Sequence, residues 1–228
     1  MRELYIANKN YSSWSLRPWL LMQQLQIPFI EQLVPFSQQG NFDKFRTFSP
    51  SGKVPCLVQK DLVVWDSLAI AEFLYESHSN VWPADSKARA FARCAAAEMH
   101  SGFAALRNIC GMSCGHRVQL HNVSFALKHD IERLSELFEQ GIREFGGPFL
   151  AGAQFSAADA FFAPVAFRMQ SYDLAFSEVA KNYLQRLLAL PAMQNWYQQA
   201  LAEPWTDEAH DKEIAGYGTI TADYRQLS

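Results

Sequence analysis

The N-terminal third of the chain alternates strand-like and helix-like patterns, and the order of these patterns limits the fold more than any other feature. Short apolar runs rich in β-branched residues predict strands, whereas apolar residues repeated every three or four positions predict helices. The predicted order is strand, helix, strand, short helix, strand, strand and helix, over residues 4–7, 15–25, 29–34, 42–48, 56–58, 62–65 and 67–76. A βαβ unit followed by ββα forms a small mixed sheet with helices on both faces.

The remainder of the chain has a helical pattern. Helices are predicted over residues 87–107, 126–145, 157–170, 176–190 and 192–202, and no segment beyond residue 86 predicts a strand. The Asn-, Pro- and Asp-containing stretch 79–86 predicts a linker. The expected fold is therefore an α/β thioredoxin-like N-terminal domain (βαβ-ββα) at 1–78 and an all-α C-terminal helical bundle at 87–228.

Composition and charge exclude several classes of function. The chain has 20 Lys and Arg residues against 23 Asp and Glu, a net charge of −3, which predicts neither nucleic acid nor an anionic membrane as a partner. The segment after Met1 has no apolar core of a signal peptide, so we expect a cytoplasmic protein. The longest apolar stretch, residues 160–167, is far shorter than the roughly 20 residues of a membrane helix.

The four cysteines are expected to be reduced thiols in a chain of this size without an export signal. Cys110, Cys114 and His116 lie close together in sequence, but structural zinc sites normally have four ligands. We therefore favour small buried side chains at these positions and predict no metal.

A run of serines follows the first predicted strand: Tyr11-Ser12-Ser13-Trp14-Ser15-Leu16-Arg17. A thioredoxin-like oxidoreductase has a cysteine at this place, whereas this chain has none before Cys56. Disulfide exchange by a protein thiol is therefore not expected. The serines either cap the following helix or donate hydrogen bonds to a ligand.

Two further segments accompany the serines in order and spacing. Val54-Pro55 precedes the third strand, and Asp66-Ser67 opens the third helix. A helix N-terminus offers free N–H groups and positive potential to a carboxylate. An ordinary turn and an ordinary helix cap would explain each segment alone, but the combination favours one shared site.

These segments resemble the cytosolic glutathione transferase superfamily, and Ser12 to Arg17 resembles the serine motif of its zeta class and the serine loops of its phi and theta classes. The segment Ser156-Ala157-Ala158-Asp159 resembles the superfamily's capping box. The resemblance implies an enzyme that uses glutathione as cosubstrate, with Ser12 or Ser13 as the catalytic hydroxyl and a cis Val54-Pro55 bond. It implies that glutathione is held by Arg17, Gln39, Lys53, Val54, Pro55, Asp66 and Ser67.

In such a site, serine lowers the pKa of the glutathione thiol. A thiol with a pKa near about 8.5 is mostly protonated at neutral pH. A hydroxyl that donates to the sulfur, the positive end of the following helix and the charge of Arg17 all favour the thiolate. A shift of one pKa unit requires only about 1.4 kcal/mol.

A second substrate is expected beside the helix that follows the linker. Met99, Phe103 and Arg107 recur at four-residue spacing, and we expect them to form an apolar wall with a cationic rim. Tyr11 and Trp14 are expected beside the sulfur. Core packing is the alternative for Met99, Phe103 and Trp14, and Tyr11 is a third candidate for the thiol donor.

Three functions remain open from the sequence. The first is conjugation of glutathione to a small hydrophobic electrophile, as in detoxification. The second is isomerisation of the maleylacetoacetate type, although the zeta motif has cysteine where this chain has Trp14. The third is binding of glutathione or another ligand without catalysis. The resemblance also implies a homodimer.

Overall fold

The computed structural model describes residues 1–37 and 40–226, and its first part has the predicted βαβ-ββα order. The strands form a mixed sheet in the order β2-β1-β3-β4, in which β1 is parallel to β2 and antiparallel to β3. The elements are β1 (Arg2–Ile6), α1 (Ser13–Gln24), β2 (Ile30–Leu33), α2 (Phe42–Arg46), β3 (Cys56–Gln59), β4 (Leu62–Trp65) and α3 (Ser67–Tyr75).

The central strand β1 packs into a buried core together with its neighbour β3 and the helices α1 and α3. Leu4 lies opposite Leu57 of β3, and both side chains are fully buried. Leu20 of α1 and Leu74 of α3 belong to the same core. Because β1 leads directly into the loop before α1, this core fixes the position of the serines.

The C-terminal domain is largely helical, which confirms the predicted fold class. Its central helix, α7, buries all of its residues except Gln170, and the predicted capping box of Ser156 and Asp159 is present at its start. The helices are α4 (Ser86–Ser101), α5 (Ala104–Ile109), α6 (Phe125–Phe145), α7 (Ala157–Tyr172), α8 (Glu178–Leu188), α9 (Pro191–Leu201) and α10 (Glu208–Tyr217).

Two strands in this domain correct the expectation that no strand follows residue 86. β5 (His116–Leu120) and β6 (Gly218–Asp223) pair as an antiparallel ribbon. A Cβ atom at Gly218 would lie 2.5 Å from Cγ1 of Val118, so the close approach of the two strands requires glycine there. The strands are distant in sequence, and neither has a local pattern strong enough to predict it.

The predicted single helix over residues 87–107 is interrupted. α4 ends at Ser101, Phe103 has a left-handed backbone with φ 56°, and α5 begins at Ala104. A Cβ atom at Gly102 would lie 2.8 Å from the carbonyl oxygen of Glu98. The glycine therefore allows the chain to turn here, and the turn changes which side chains reach the site.

The two domains pack directly against each other. The rings of Trp19 in α1 and Trp196 in α9 meet edge to face with centroids 4.9 Å apart. The backbone N–H of Lys9 donates to Oε1 of Glu203 at 2.6 Å. The predicted linker, 79–86, includes a short 3-10 helix at Ser79–Val81, and Val81 is buried. The serine loop thus lies beside the helical domain.

All the cysteines are free, and only Cys94 is exposed. Burial raises the pKa of the Cys110 thiol to about 12. Within residues 1–37 and 40–226, no group of three or more His, Cys, Asp and Glu side chains is placed to hold a metal ion. No helix in these ranges is long and apolar enough to cross a membrane.

Candidate functional site

A groove of about 510 Å³ lies between the loop before β3 and the start of α3. It brings together the Val-Pro and Asp-Ser segments that the sequence predicted to share a site. The lining residues are Trp14, Ser51, Lys53, Val54, Pro55, Trp65, Asp66, Ser67 and Arg107.

Ser67 is the most informative side chain in this groove. It is only 1% exposed, and its Oγ has no hydrogen-bond partner in the part of the chain that the structure describes. A buried polar atom without a partner costs about 1–3 kcal/mol and calls for an explanation. A hydroxyl at the start of a helix is well placed to bind an anion together with the helix N–H groups.

Asp66, rather than Ser67, caps α3. Its Oδ1 accepts hydrogen bonds from the N–H groups of Leu68 at 2.8 Å and Ala69 at 3.4 Å. Its Oδ2 lies 3.4 Å from Nε2 of His100 in the helical domain. The backbone of Asp66 has φ 76° and ψ 137°, a strained conformation for a residue other than glycine, and such strain is found most often at functional sites.

The loop before β3 supplies backbone groups and a cation. The Val54-Pro55 peptide bond is cis, as expected. Among the described residues, the main-chain N–H and C=O of Val54 make no hydrogen bond. Lys53 is exposed and lines the groove beside Val54. The loop thus presents an unpaired peptide unit next to a positive charge.

A second cavity, of about 390 Å³, adjoins the groove and contains the serines. Trp14, Lys53, Val54 and Arg107 line both spaces, so the groove continues into the cavity. The cavity lining consists of Tyr11, Ser12, Ser13, Trp14, Phe36, Asn41, Phe45, Gly52, Lys53, Val54, Arg107, Asn108, Gly111, Met112, Arg168, His210 and Glu213.

The two serines differ in their hydrogen bonds. Ser12 precedes α1 but makes no side-chain cap; its hydroxyl donates to Oγ of Ser15 at 2.7 Å. Oγ of Ser15 also accepts from the N–H of Ala7 at 3.1 Å. The hydroxyl of Ser13, at the first position of α1, has no partner among the described residues. The geometry therefore argues against helix capping as the role of Ser12.

Tyr11 lines the cavity with its ring, but its hydroxyl is bonded to the C-terminal segment. Tyr11 Oη donates to Oδ1 of Asp211 at 2.9 Å and accepts from Nη1 of Arg225 at 2.5 Å and from the N–H of Asp207 at 3.3 Å. Burial raises its pKa to about 12. These bonds argue against Tyr11 as the thiol donor.

The ring of Trp14 contacts two arginines. The guanidinium carbon of Arg17 lies 4.1 Å from the Trp14 ring centre, and that of Arg107 lies 4.8 Å from it. Arg17 also lies 5.0 Å from the ring of Phe161 and is only 2% exposed. Arg17 lines neither of the two described spaces, so its expected contact with glutathione stays a prediction. Gln39, another predicted contact, lies outside the described residues.

Two residues predicted for the second-substrate pocket lie in the core, which favours the alternative of core packing for them. Met99 is fully buried and Phe103 is 6% exposed, and both belong to the hydrophobic core. Neither lines the described groove or cavity, whereas Arg107 lines both. The turn at Gly102 ends α4 before Phe103 and Arg107, so the four-residue spacing no longer places the three side chains on one helix face.

Several cavity residues were missed from the sequence. Phe36, Arg168, His210 and Glu213 come from separate segments that only the tertiary fold brings together. The imidazole of His210 stacks on Tyr11 and Phe36, with ring centres 5.2 and 5.1 Å apart. A regular N-cap pattern at Asp207 could have predicted α10, but nothing local predicts its position beside the serines.

Comparison with protein families decides the family. Models of the glutathione S-transferase N-terminal and C-terminal domains match residues 11–77 and 85–199. The chain belongs to the glutathione S-transferase family. The matched ranges include the serine loop, the Val54-Pro55 segment, the start of α3 and Arg168 in α7.

Individual members of this family are similar to the chain at low identity. A probable maleylacetoacetate isomerase of Caenorhabditis elegans is 26% identical over 177 residues, which cover 76% of this chain and 81% of the relative. Glutathione S-transferase 1 of Dianthus caryophyllus is 27% identical over 166 residues, or 71% and 74% of the two chains. A Burkholderia glutathione transferase homologue, solved with bound glutathione, has a TM-score of 0.65 at 23% identity, covering 87% and 97% of the chains.

Proposed function

We propose that this protein is a glutathione transferase that binds glutathione in the groove and presents its sulfur to the serine cavity. Three features of the groove match the ends of the tripeptide. The N-terminus of α3 with Ser67 suits the γ-glutamyl carboxylate, Asp66 suits the α-ammonium group, and Lys53 suits the glycine carboxylate. The free peptide unit of Val54 suits main-chain pairing with the cysteinyl residue.

The observation that carries this proposal is the continuity of the two spaces. Ser67, with its unpartnered buried hydroxyl, lies in a groove that shares Trp14, Lys53 and Val54 with the cavity of Ser12 and Ser13. A tripeptide anchored at α3 and paired with Val54 directs its thiol to that cavity.

The serines then act as hydrogen-bond donors and not as nucleophiles. Ser13 has a hydroxyl free to donate, and Ser12 can turn its hydroxyl from Ser15 at the cost of about 1 kcal/mol, one ordinary hydrogen bond. The N-terminus of α1 and the charges of Arg17 and Arg107 add positive potential. The thiolate attacks a small hydrophobic electrophile held in the cavity.

Serine-to-alanine variants test this mechanism. We expect Ser12→Ala or Ser13→Ala to raise the thiol pKa of bound glutathione, seen as loss of the ultraviolet absorbance of the thiolate, and to lower kcat at least about tenfold. Glutathione affinity should change little. Unchanged kcat in both variants would rule out a serine mechanism.

Ser124→Ala is the matched control, because Ser124 caps α6 by accepting from the N–H of Leu127 at 3.2 Å. Loss of this cap should lower stability by about 1 kcal/mol and leave the thiolate absorbance intact. The comparison separates loss of a helix cap from loss of a thiol donor.

Glutathione-dependent isomerisation is the second candidate. Relatives named maleylacetoacetate isomerase in Caenorhabditis elegans and Rattus norvegicus favour it, at 26% and 25% identity. Assays with a chloronitroaromatic compound and with maleylacetone distinguish consumption of glutathione from its return unchanged. If neither compound reacts while glutathione binds, a non-catalytic binding role replaces both enzymatic proposals.

We further propose a cytoplasmic homodimer with a role in detoxification. The family resemblance supports the dimer, as do the exposed apolar side chains Phe42 and Leu62 on the N-terminal domain, which are 61% and 45% exposed. Mass measurement by light scattering tests the dimer, and a monomeric mass would refute it.

A further inference from the structure

Two arginines line the serine cavity, and a third lies behind them. Arg168 is 4% exposed and Arg107 is half-buried, and both line the cavity. Arg17 lies behind them on the ring of Trp14. Burial lowers the pKa of Arg17 to about 9, and the positive charges of Arg168 and Arg107 contribute to the shift. Arg17 therefore remains protonated at neutral pH, and the cluster holds positive charges close together.

These arginines have few partners in the protein. Nε and Nη1 of Arg17 have none within the described ranges. Arg168 uses Nε to donate to the carbonyl oxygen of Cys110 at 2.7 Å, and its two terminal nitrogens make no bond to a described residue. Nη1 of Arg107 is 3.3 Å from the carbonyl oxygens of His100 and Gly102.

No carboxylate of the described chain forms an ion pair with any of the three. Asp66 favours the charge on Arg17 but is paired with His100 and caps α3. Glu213 lines the cavity, although it is exposed. Buried charges are normally paired, because an isolated one is costly to remove from water.

We propose that the second substrate is an organic anion, whose carboxylate binds Arg168 and Arg107 while its electrophilic carbon faces the serines. This inference rests on the proposed transferase function and replaces the expectation of a purely hydrophobic electrophile. A guanidinium group matches the planar geometry of a carboxylate. Glutathione's own carboxylates do not fill this place in the proposal, since Arg168 lines the cavity and not the groove.

A matched pair of electrophiles tests the anion site: 4-chloro-3-nitrobenzoate and its methyl ester. In both, sulfur bonds to the ring carbon that carries chlorine, and chloride leaves with the bonding electron pair. Each kcat/KM is divided by the rate constant of the uncatalysed reaction with glutathione, which corrects for the different reactivity of the two rings. The selectivity is the corrected kcat/KM of the acid divided by the corrected kcat/KM of the ester.

We expect the wild-type protein to favour the acid. Arg168→Met and Arg107→Met should each lower the selectivity about tenfold or more, the value of one charge-assisted hydrogen bond. Arg168→Lys should retain part of it. Because Arg107 is only half-buried, Arg107→Met is expected to fold normally. Circular dichroism verifies the fold of each variant.

Arg117→Met is the matched control. Arg117 also donates to backbone carbonyls, those of Cys114 and His116, but it lines a separate cavity of about 670 Å³ beside β5. Its replacement should leave the selectivity unchanged. A wild-type protein that favours the ester, or a selectivity that survives both Arg168→Met and Arg107→Met, would overturn the anion site.

A binding measurement decides the inference without turnover. The glutathione conjugates of the acid and of the ester are titrated into the wild-type protein by calorimetry. Tighter binding of the acid conjugate, lost in Arg168→Met, supports the anion site, and equal affinities contradict it. Absence of turnover with both electrophiles, despite such binding, would refute the transferase proposal and leave the anion site standing.

Discussion

The hydroxyl of Tyr11 donates a 2.9 Å hydrogen bond to Asp211 in α10, which joins the serine loop to the C-terminal segment. We predict that Tyr11→Phe lowers the free energy of unfolding by about 1–3 kcal/mol, since the buried partners Arg225 and Asp207 N–H also lose an acceptor. The thiolate absorbance of bound glutathione should persist. Denaturant unfolding and ultraviolet difference spectra measure the two effects, and loss of the absorbance would identify Tyr11 as the donor.

Replacement of Ser67 is predicted to weaken glutathione binding without destabilising the protein. Ser67→Ala should raise the Kd for glutathione about five- to tenfold, because one hydrogen bond to the carboxylate is lost. The free energy of unfolding should stay the same or rise, since the hydroxyl has no partner among the described residues. Calorimetry and urea denaturation provide the two values.

Ser171→Ala is the matched control for Ser67. Its hydroxyl is also buried but donates to the carbonyl oxygen of Ser113 at 2.6 Å. We expect this variant to lose about 1 kcal/mol of stability with no change in glutathione affinity. An unchanged Kd in Ser67→Ala would remove Ser67 from the proposed binding site.

Replacement of Met99 tests whether this side chain belongs to the core or contacts the second substrate. Because its side chain is fully buried in the core, Met99→Ala should lower the free energy of unfolding by about 2–5 kcal/mol. At a temperature where the variant remains folded, KM for the electrophile should match that of the wild-type protein. A large rise in KM with little loss of stability would return Met99 to the pocket.

The buried carboxyl group of Glu203 is expected to make a pH-dependent contribution to the free energy of unfolding. Burial raises its pKa from 4.5 to about 7, against the hydrogen bonds from the N–H groups of Lys9 and Asn10. The folded state therefore binds this proton more tightly than the unfolded state. The resulting stabilisation is fully present below about pH 4.5 and is lost as pH rises through about 7.

The measurement compares wild-type protein with Glu203→Gln by denaturant unfolding between pH 4.5 and pH 7. The wild-type free energy of unfolding should fall relative to that of the variant across this range, by at most about 3 kcal/mol. Parallel curves for the two proteins would show that Glu203 keeps an ordinary pKa in the folded state.

The sequence predicted the parts of the fold and site that depend on neighbouring residues. The strand and helix order of the N-terminal domain and the cis Val54-Pro55 bond agree with the structure. The groove brings together Val54, Pro55, Asp66 and Ser67, as their shared spacing predicted. The order of elements follows from local patterns, whereas the cis bond was implied by the resemblance to the glutathione transferase superfamily.

Features that depend on distant contacts were not predicted. The pairing of β5 with β6 and the place of His210 beside Tyr11 result from packing between remote segments. The wall expected from Met99, Phe103 and Arg107 assumed an uninterrupted helix, and the backbone turn at Phe103 left only Arg107 in the cavity. That no carboxylate of the described residues forms an ion pair with Arg17 is likewise visible only in three dimensions.

The bond between Tyr11 and the C-terminal segment has a consequence for the order of assembly during synthesis. Residues 207–225 leave the ribosome long after the thioredoxin-like domain, yet they supply His210 and Glu213 to the cavity and hold the Tyr11 hydroxyl. Every residue that lines the groove precedes residue 108, whereas the cavity lacks part of its wall until His210 and Glu213 have been made. The proposed glutathione groove is therefore complete in sequence well before the proposed chamber for the second substrate.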